Sequence, residues 1–283
     1  MHNARQQSGL KPRPYVLRPG VEIPRYWFAG NPFLTHFMNA FSAILPEGER
    51  FMIDSVRDSR ASLPPEHPLQ ADISGFIGQE AFHARAHREA NARFQAMGVS
   101  IDRLERMATQ VLERMRALPP RQRVAVTGAV EHFTALFGEL VMRHPEVAEL
   151  VDPALRPLFV WHALEELEHK AVAYDLYEAL DGDYLQRVLG LLRATLLVMS
   201  LVARGQLIFM WQDGSIRDFR AIARGLWWMF GSGRQAGYFR RALPGYLAFF
   251  RRDFHPGNVD DSELLASWQP LLDDLLAMDA VSA

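Results

Sequence analysis

The sequence contains no cysteine. Disulfides, thiolate zinc sites, iron–sulfur clusters and a cysteine nucleophile are excluded with it, so any transition-metal site must be assembled from histidine and carboxylate. Lysine is almost absent: Lys11 and Lys170 stand alone, and arginine carries the rest of the positive charge. Arginine suits aromatic and anionic surroundings. Met1 to Leu17 has no apolar core of the signal-peptide kind, and the most apolar stretch, Ala194 to Ala203, is too short to span a bilayer. A cytoplasmic chain is the expectation. No sustained two-residue alternation occurs, so no sheet is expected. No internal repeat or haem or nucleotide motif is present, and Gly231-Ser232-Gly233 is too little for a phosphate loop.

What is present is a chain of 283 residues, 49% hydrophobic and 23% charged, which is neither disordered nor fibrous. Its net charge of −2 is unevenly spread: residues 184–252 hold eleven arginines against Asp213 and Asp218. Residues 1–33, with Pro12, Pro14, Pro19, Pro24 and Pro32, read as an extended N-terminal arm. Beyond it the pattern predicts helices over about 35–59, 69–97, 100–118, 120–143, 153–180, 184–211, 215–230, 237–252 and 262–278. Pro46 is expected to begin a new turn in the first of these or to kink it. The fold class is all-α. A ferritin-like four-helix bundle over 34–182, with 100–118 as an added crossover, and a C-terminal helical extension over 183–283 packed on it, fits best.

Glu80-x-x-His83 and Glu166-x-x-His169 each put a carboxylate and an imidazole on one helix face. One such pair means little. A dinuclear carboxylate site in a four-helix bundle needs two of them on two helices and a lone glutamate on each of the other two. Glu49 and Glu131 supply these, one per remaining long helix. Glu49 shares a face with Leu45, Met52, Ile53 and Val56, whereas Glu47 faces Arg50, Phe51 and Asp54, the wet side. Glu131 sits among Val124, Thr127, Gly128, Thr134, Ala135 and Gly138, small residues that leave room for metal or substrate. His162 extends the face of Glu166 and His169, and His87 that of Glu80 and His83. The metal-ligand set is therefore Glu49, Glu80, His83, Glu131, His162, Glu166 and His169. His87, His132 and Glu165 are placed as residues that orient ligands or line the pocket, with Glu165 also open as a ligand. His2, His36, His67, His144 and His255 are assigned to the surface.

The order of motifs from Glu49 to His169 resembles the ferritin-like di-iron carboxylate proteins. His162-x-x-x-Glu166-x-x-His169 is similar to the arylamine N-oxygenases, which implies three histidines and four carboxylates on two irons and leaves His87 and His132 surplus. The phrases Pro46-Glu47-Gly48-Glu49-Arg50-Phe51, Gly78-Gln79-Glu80-Ala81-Phe82-His83, Glu131-His132-Phe133-Thr134 and Glu166-Leu167-Glu168-His169-Lys170 resemble a bacterial family of predicted metal-dependent hydrolases, over roughly residues 15–255.

The leading expectation is an enzyme with two iron (or manganese) ions, an oxygen-activating oxidoreductase acting on an apolar or aromatic small molecule and served by an electron donor. The first alternative is a hydrolase using a metal-activated water. The second is a non-enzymatic metal-storage bundle. Nucleic acid is not expected as a partner, since no recognition motif accompanies the arginines. A peripheral membrane contact through 184–252, where aromatics alternate with arginines, and a homodimer stay open.

Overall fold

Asn31 starts the first helix: its side-chain oxygen accepts from the N–H groups of Phe33 and Leu34, and Pro32 occupies the first helical position. The computed structural model describes residues 10–233 and 236–280, the last six as backbone alone, so His2 lies outside the described residues. Helix α1 (Pro32–Arg60) runs unbroken through Pro46. The proline has no N–H for the carbonyl of Ser42, and Asn91 supplies one, its Nδ2 donating to that oxygen at 3.0 Å. The partner of α1 is therefore what keeps it whole.

That partner is α2 (Leu69–Ala96), and α3 (Ile101–Arg116) then crosses to the second half. There α4 (Pro120–Arg143), the single turn α5 (Pro145–Ala148), α6 (Arg156–His169) and α7 (Val172–Ala179) follow. The single helix expected over 153–180 is two. The chain breaks at Lys170 and Ala171, and Lys170 reaches out to the carbonyl of Val259 at 2.9 Å and to Asp261 Oδ2 at 2.5 Å. Among the described residues there is no strand, only an isolated antiparallel bridge between Phe28 and Val151. The all-α class holds.

Helix α8 (Tyr184–Gln212) is capped by Asp183, whose carboxylate accepts from the N–H of Gln186. It lies against α1 and α4. The approach is close where glycines permit it: a Cβ on Gly190 would stand 2.7 Å from the carbonyl of Ala125, and one on Gly205 2.3 Å from Leu104 Cδ2. After one 3-10 turn (Ser215–Arg217) come α9 (Phe219–Phe230), α10 (Tyr238–Ala248) and α11 (Ser262–Ala280). Two helices, α4 and α8, are long and apolar enough to cross a membrane by length and composition, but α4 is mostly buried in the protein's own core.

The arm is extended as expected and its side chains join the core. Trp27 is 1% exposed, donates from Nε1 to Asn39 Oδ1 at 2.8 Å, and stacks on Phe94 and Phe159. His36, assigned to the surface, is buried, with Nε2 2.7 Å from Asp213 Oδ2; the helix face it occupies is covered by α8, which the local pattern could not show. His67, His144 and His255 are half-buried. Phe51, read as part of the wet side, is also buried.

Candidate metal centre

Four helices aim acids and imidazoles at one buried region. Glu49 comes from α1, Glu80 and His83 from α2, Glu131 from α4, and His162, Glu166 and His169 from α6; all are buried. Ligating atoms of Glu80, His83, Glu166 and His169 lie within 4.8 Å of one another, as do those of Glu49, His83 and His162. The two groups share His83, so they adjoin.

Each imidazole is held from behind by a group that leaves one nitrogen facing inward. The Nε2–H of His83 donates to Glu165 Oε2 at 3.1 Å, and its Nδ1 faces Glu80 Oε1 at 3.5 Å and Glu166 Oε1 at 3.6 Å. His169 donates from Nδ1 to Glu131 Oε2 at 2.8 Å and turns Nε2 toward Glu80 Oε1 at 3.1 Å. For His162 the tautomer is set by a chain. Ser42 Oγ donates to Asn91 Oδ1 at 2.8 Å, so it accepts the Nδ1–H of His87 at 2.9 Å. The bare Nε2 of His87 accepts the Nδ1–H of His162 at 2.7 Å. The remaining lone pair, on His162 Nε2, faces Glu166 Oε1 at 2.7 Å and Glu49 Oε1 at 4.0 Å.

Glu165 is in turn gripped by Arg13 of the arm, whose guanidinium donates to Glu165 Oε1 at 3.1 Å and to both oxygens of Glu168 at 2.8 and 2.6 Å. Gln79 Nε2 donates to Glu168 Oε2 as well. Trp161 meets His83 edge-on at 4.8 Å and Phe76 meets His169 edge-on at 5.1 Å, which closes the region to water.

With protein charges alone, protons take up the surplus of acid. Burial, reinforced by Glu80, pushes Glu49 well above the usual carboxylate range, and burial pushes Glu131 up to about 8 against the pull of His169. Burial also opposes the charge on His83, but Glu165 and Glu80 raise it to about 10; Glu131 and Glu166 likewise raise His169. Burial raises Glu80 and Glu166 less than their imidazole neighbours lower them. Burial and the rings of His162 and His83 keep His87 far below its usual range, hence neutral, as the hydrogen-bond chain requires.

The residues fit cations by a separate test. Both oxygens of Glu49, Oε2 of Glu80, Oε1 of Glu131, Oε2 of Glu166 and Nδ1 of His83 are buried with no hydrogen-bond partner, and Glu80 Oε1 has the ion pair with His169 Nε2 at 3.1 Å. An unmet buried polar atom costs about 1–3 kcal/mol, and more when charged. Six together would cancel much or all of a stability of about 5–15 kcal/mol. Cations held among these acceptors would answer all six. The hard oxygen and imidazole donors suit iron or manganese.

Of the residues expected at the centre, His132 is elsewhere. Its Nε2–H donates to the carbonyl of Gly245 at 3.0 Å, its ring packs on Phe249 and Phe254, and burial lowers it to about 4. It ties α10 to α4. Glu131 is brought in but touches its neighbours through His169. Sequence reasoning missed Ser42, Asn91 and Arg13. The first two carried a signal, since Ser42 precedes Glu49 by seven residues and Asn91 follows His87 by four, on the same helix faces. Arg13 carried none.

An apolar cavity of about 100 Å³ reaches His162 and Glu166 between Phe37, Phe41, Phe137 and Trp228. A smaller one, about 50 Å³, reaches Glu49 past Leu45 and Phe133.

Residues 12–260 match the family model described as predicted metal-dependent hydrolase. The chain belongs to that family. No curated protein and no solved structure matches it, and nothing in these comparisons carries a likeness to di-iron proteins or arylamine N-oxygenases. The stretch shared with the predicted metal-dependent hydrolases begins with the arm that holds Arg13 and extends past α10, so it takes in both the centre and its covers.

Proposed function

We propose that this protein is a metal-dependent hydrolase in which Glu49, Glu80, His83, Glu131, His162, Glu166 and His169 hold two divalent cations, and that its substrate is an apolar small molecule seated in the cavity beside His162 and Glu166. The observation that carries this reading is the set of six unpartnered ligand atoms around one buried region; the family supports the hydrolytic choice. Bound there, the cations would supply Lewis acidity, lowering the pKa of a coordinated water and polarising the scissile group, or, as iron, electrons for dioxygen. The chain's own part is orientation. Glu165 and His87 fix the rings of His83 and His162, Arg13 fixes Glu165, and Phe37, Phe41 and Phe137 keep bulk water away from the substrate side.

An oxygen-activating oxidoreductase is the second reading, and the character of the cavity favours it. The hydroxyls of Thr134 and Tyr238 on its wall already donate to main-chain carbonyls, and Arg156 donates from Nε and Nη2 to those of Glu149 and Val151, so most of the wall's polar donors are engaged within the protein and the rest of the lining is largely apolar. This reading needs an external electron donor. The two separate on loading. The hydrolase turns over chromogenic esters of graded chain length with manganese or zinc, with and without oxygen. Ester inertness of every loaded form, together with reductant-dependent oxygen uptake by the iron form alone, would overturn it. Full metal loading with neither reaction would leave a storage bundle.

A further inference from the structure

Helix α8 buries one face on α1 and α4 and leaves the opposite face bare. Leu185, Leu189, Leu192, Leu196, Leu207 and Trp211 lie along it, each exposed, Leu196 by 73% and Trp211 by 75%. On α9 and α10, Trp227, Phe230, Leu243 and Leu247 are exposed as well. Soluble monomers seldom leave so many large apolar side chains near one another. The charges among them have one sign. Arg193, Arg204, Arg220, Arg224 and Arg240 are exposed. The acids of this stretch, Asp213 and Asp218, are engaged, the first with His36 at 2.7 Å and the second as the cap of α9. Leucine and aromatic rings interleaved with arginine suit the headgroup layer of an anionic membrane. A second copy of the same face would set arginine against arginine.

This face also holds an opening. A cavity of about 470 Å³ lies between α8 and α10, and Met199, Phe230 and Leu243 both line it and are exposed, which puts its mouth within the bare surface. Its inner wall is Phe37, Phe41 and Phe137, the same three rings that wall the cavity reaching His162 and Glu166. Two apolar cavities thus lie between the bare face and the centre, separated by three phenylalanine side chains.

We infer that the outer face of α8, α9 and α10 docks on an anionic phospholipid bilayer, and that the cavity between α8 and α10 draws a lipophilic substrate from it toward the centre. The second half rests on the function proposed above; the docking does not. The full, metal-loaded chain is floated with mixed phosphatidylcholine–phosphatidylglycerol vesicles and with pure phosphatidylcholine. Binding to the mixed vesicles is expected, weakened about tenfold by the Leu196→Asp, Trp227→Asp double variant and by high salt. No flotation with mixed vesicles, or flotation indifferent to these substitutions, overturns the docking. So does a dimer that the same substitutions dissolve in a chain that does not float. Dansyl-undecanoic acid probes the cavity. Val198→Trp and Ala242→Trp, each checked for native helix content, are expected to weaken its binding about tenfold without changing flotation; unchanged probe binding in both overturns the uptake route. Metal content of the same samples separates the two proposals: metal retained without flotation refutes the docking alone, and flotation without metal refutes the function alone.

Discussion

Replacing His87 by phenylalanine keeps a ring in a fully buried position and removes the acceptor that sets the tautomer of His162. The Nδ1–H of His162 loses its partner at 2.7 Å, and Ser42 Oγ loses the donor at 2.9 Å. One buried polar group, the Nδ1–H of His162, is left unmet at about 1–3 kcal/mol, while Ser42 Oγ keeps its bond to Asn91 Oδ1 at 2.8 Å. Loss of a group that orients a metal-bound imidazole typically weakens metal binding about 10–100-fold, or about 1.4–2.7 kcal/mol. The assay is competition between the chelated chain and a fluorescent chelator for manganese or zinc. His87→Phe is expected to bind at least about tenfold more weakly. His87→Gln, whose amide oxygen can accept the same hydrogen, should recover most of the loss. Affinity of His87→Phe within twofold of the parent, in protein that melts cooperatively, would refute the reasoning.

Arg13→Ala removes the grip on Glu165 and Glu168 and is expected to lower thermal stability by about 1–3 kcal/mol, together with a weaker cation affinity, read by calorimetry and the same chelator competition. Trp27→Ala opens a cavity at the junction of the arm with α1 and α2 and should cost about 3–5 kcal/mol in a denaturant melt, with Trp27→Phe much milder. The chelated chain should lose stability as pH rises from about 6.5 to about 8, above the range in which the neutral His87 and His132 act in the opposite direction. Glu131 carries a raised folded value, about 8, so the folded chain holds a proton that the unfolded chain has released, and its contribution vanishes as pH passes that value. Cation loading should flatten or reverse the slope, because metals replace those protons; a chelated chain that grows more stable over that range contradicts the assignment.

Much of the centre is legible in the sequence because its geometry is local. Three-residue spacing on a helix fixes Glu80 with His83 and Glu166 with His169 wherever the helices go. Neighbouring residues are harder. Glu131 and His132 stand about 100° apart on α4, so one facing the centre puts the other on the flank, under α10. Glu165 beside Glu166 escapes this by acting through His83 from the side. What is illegible depends on distant chain: Arg13 on Glu165, Asp213 on His36, and the break after His169, which no proline or glycine marks. The unbroken path of α1 through Pro46 belongs with these, since the donor that makes it tolerable is Asn91 of α2.

The most direct test of the account is the metal content of the full chain, purified from cells supplied with iron and manganese, and of its Glu80→Ala and His169→Ala variants, measured by mass spectrometry. About two cations per parent chain, and a loss of at least half in each folded variant, are predicted. A parent chain without metal, or variants that keep all of it, would contradict the claim that these buried acids and imidazoles exist to hold cations.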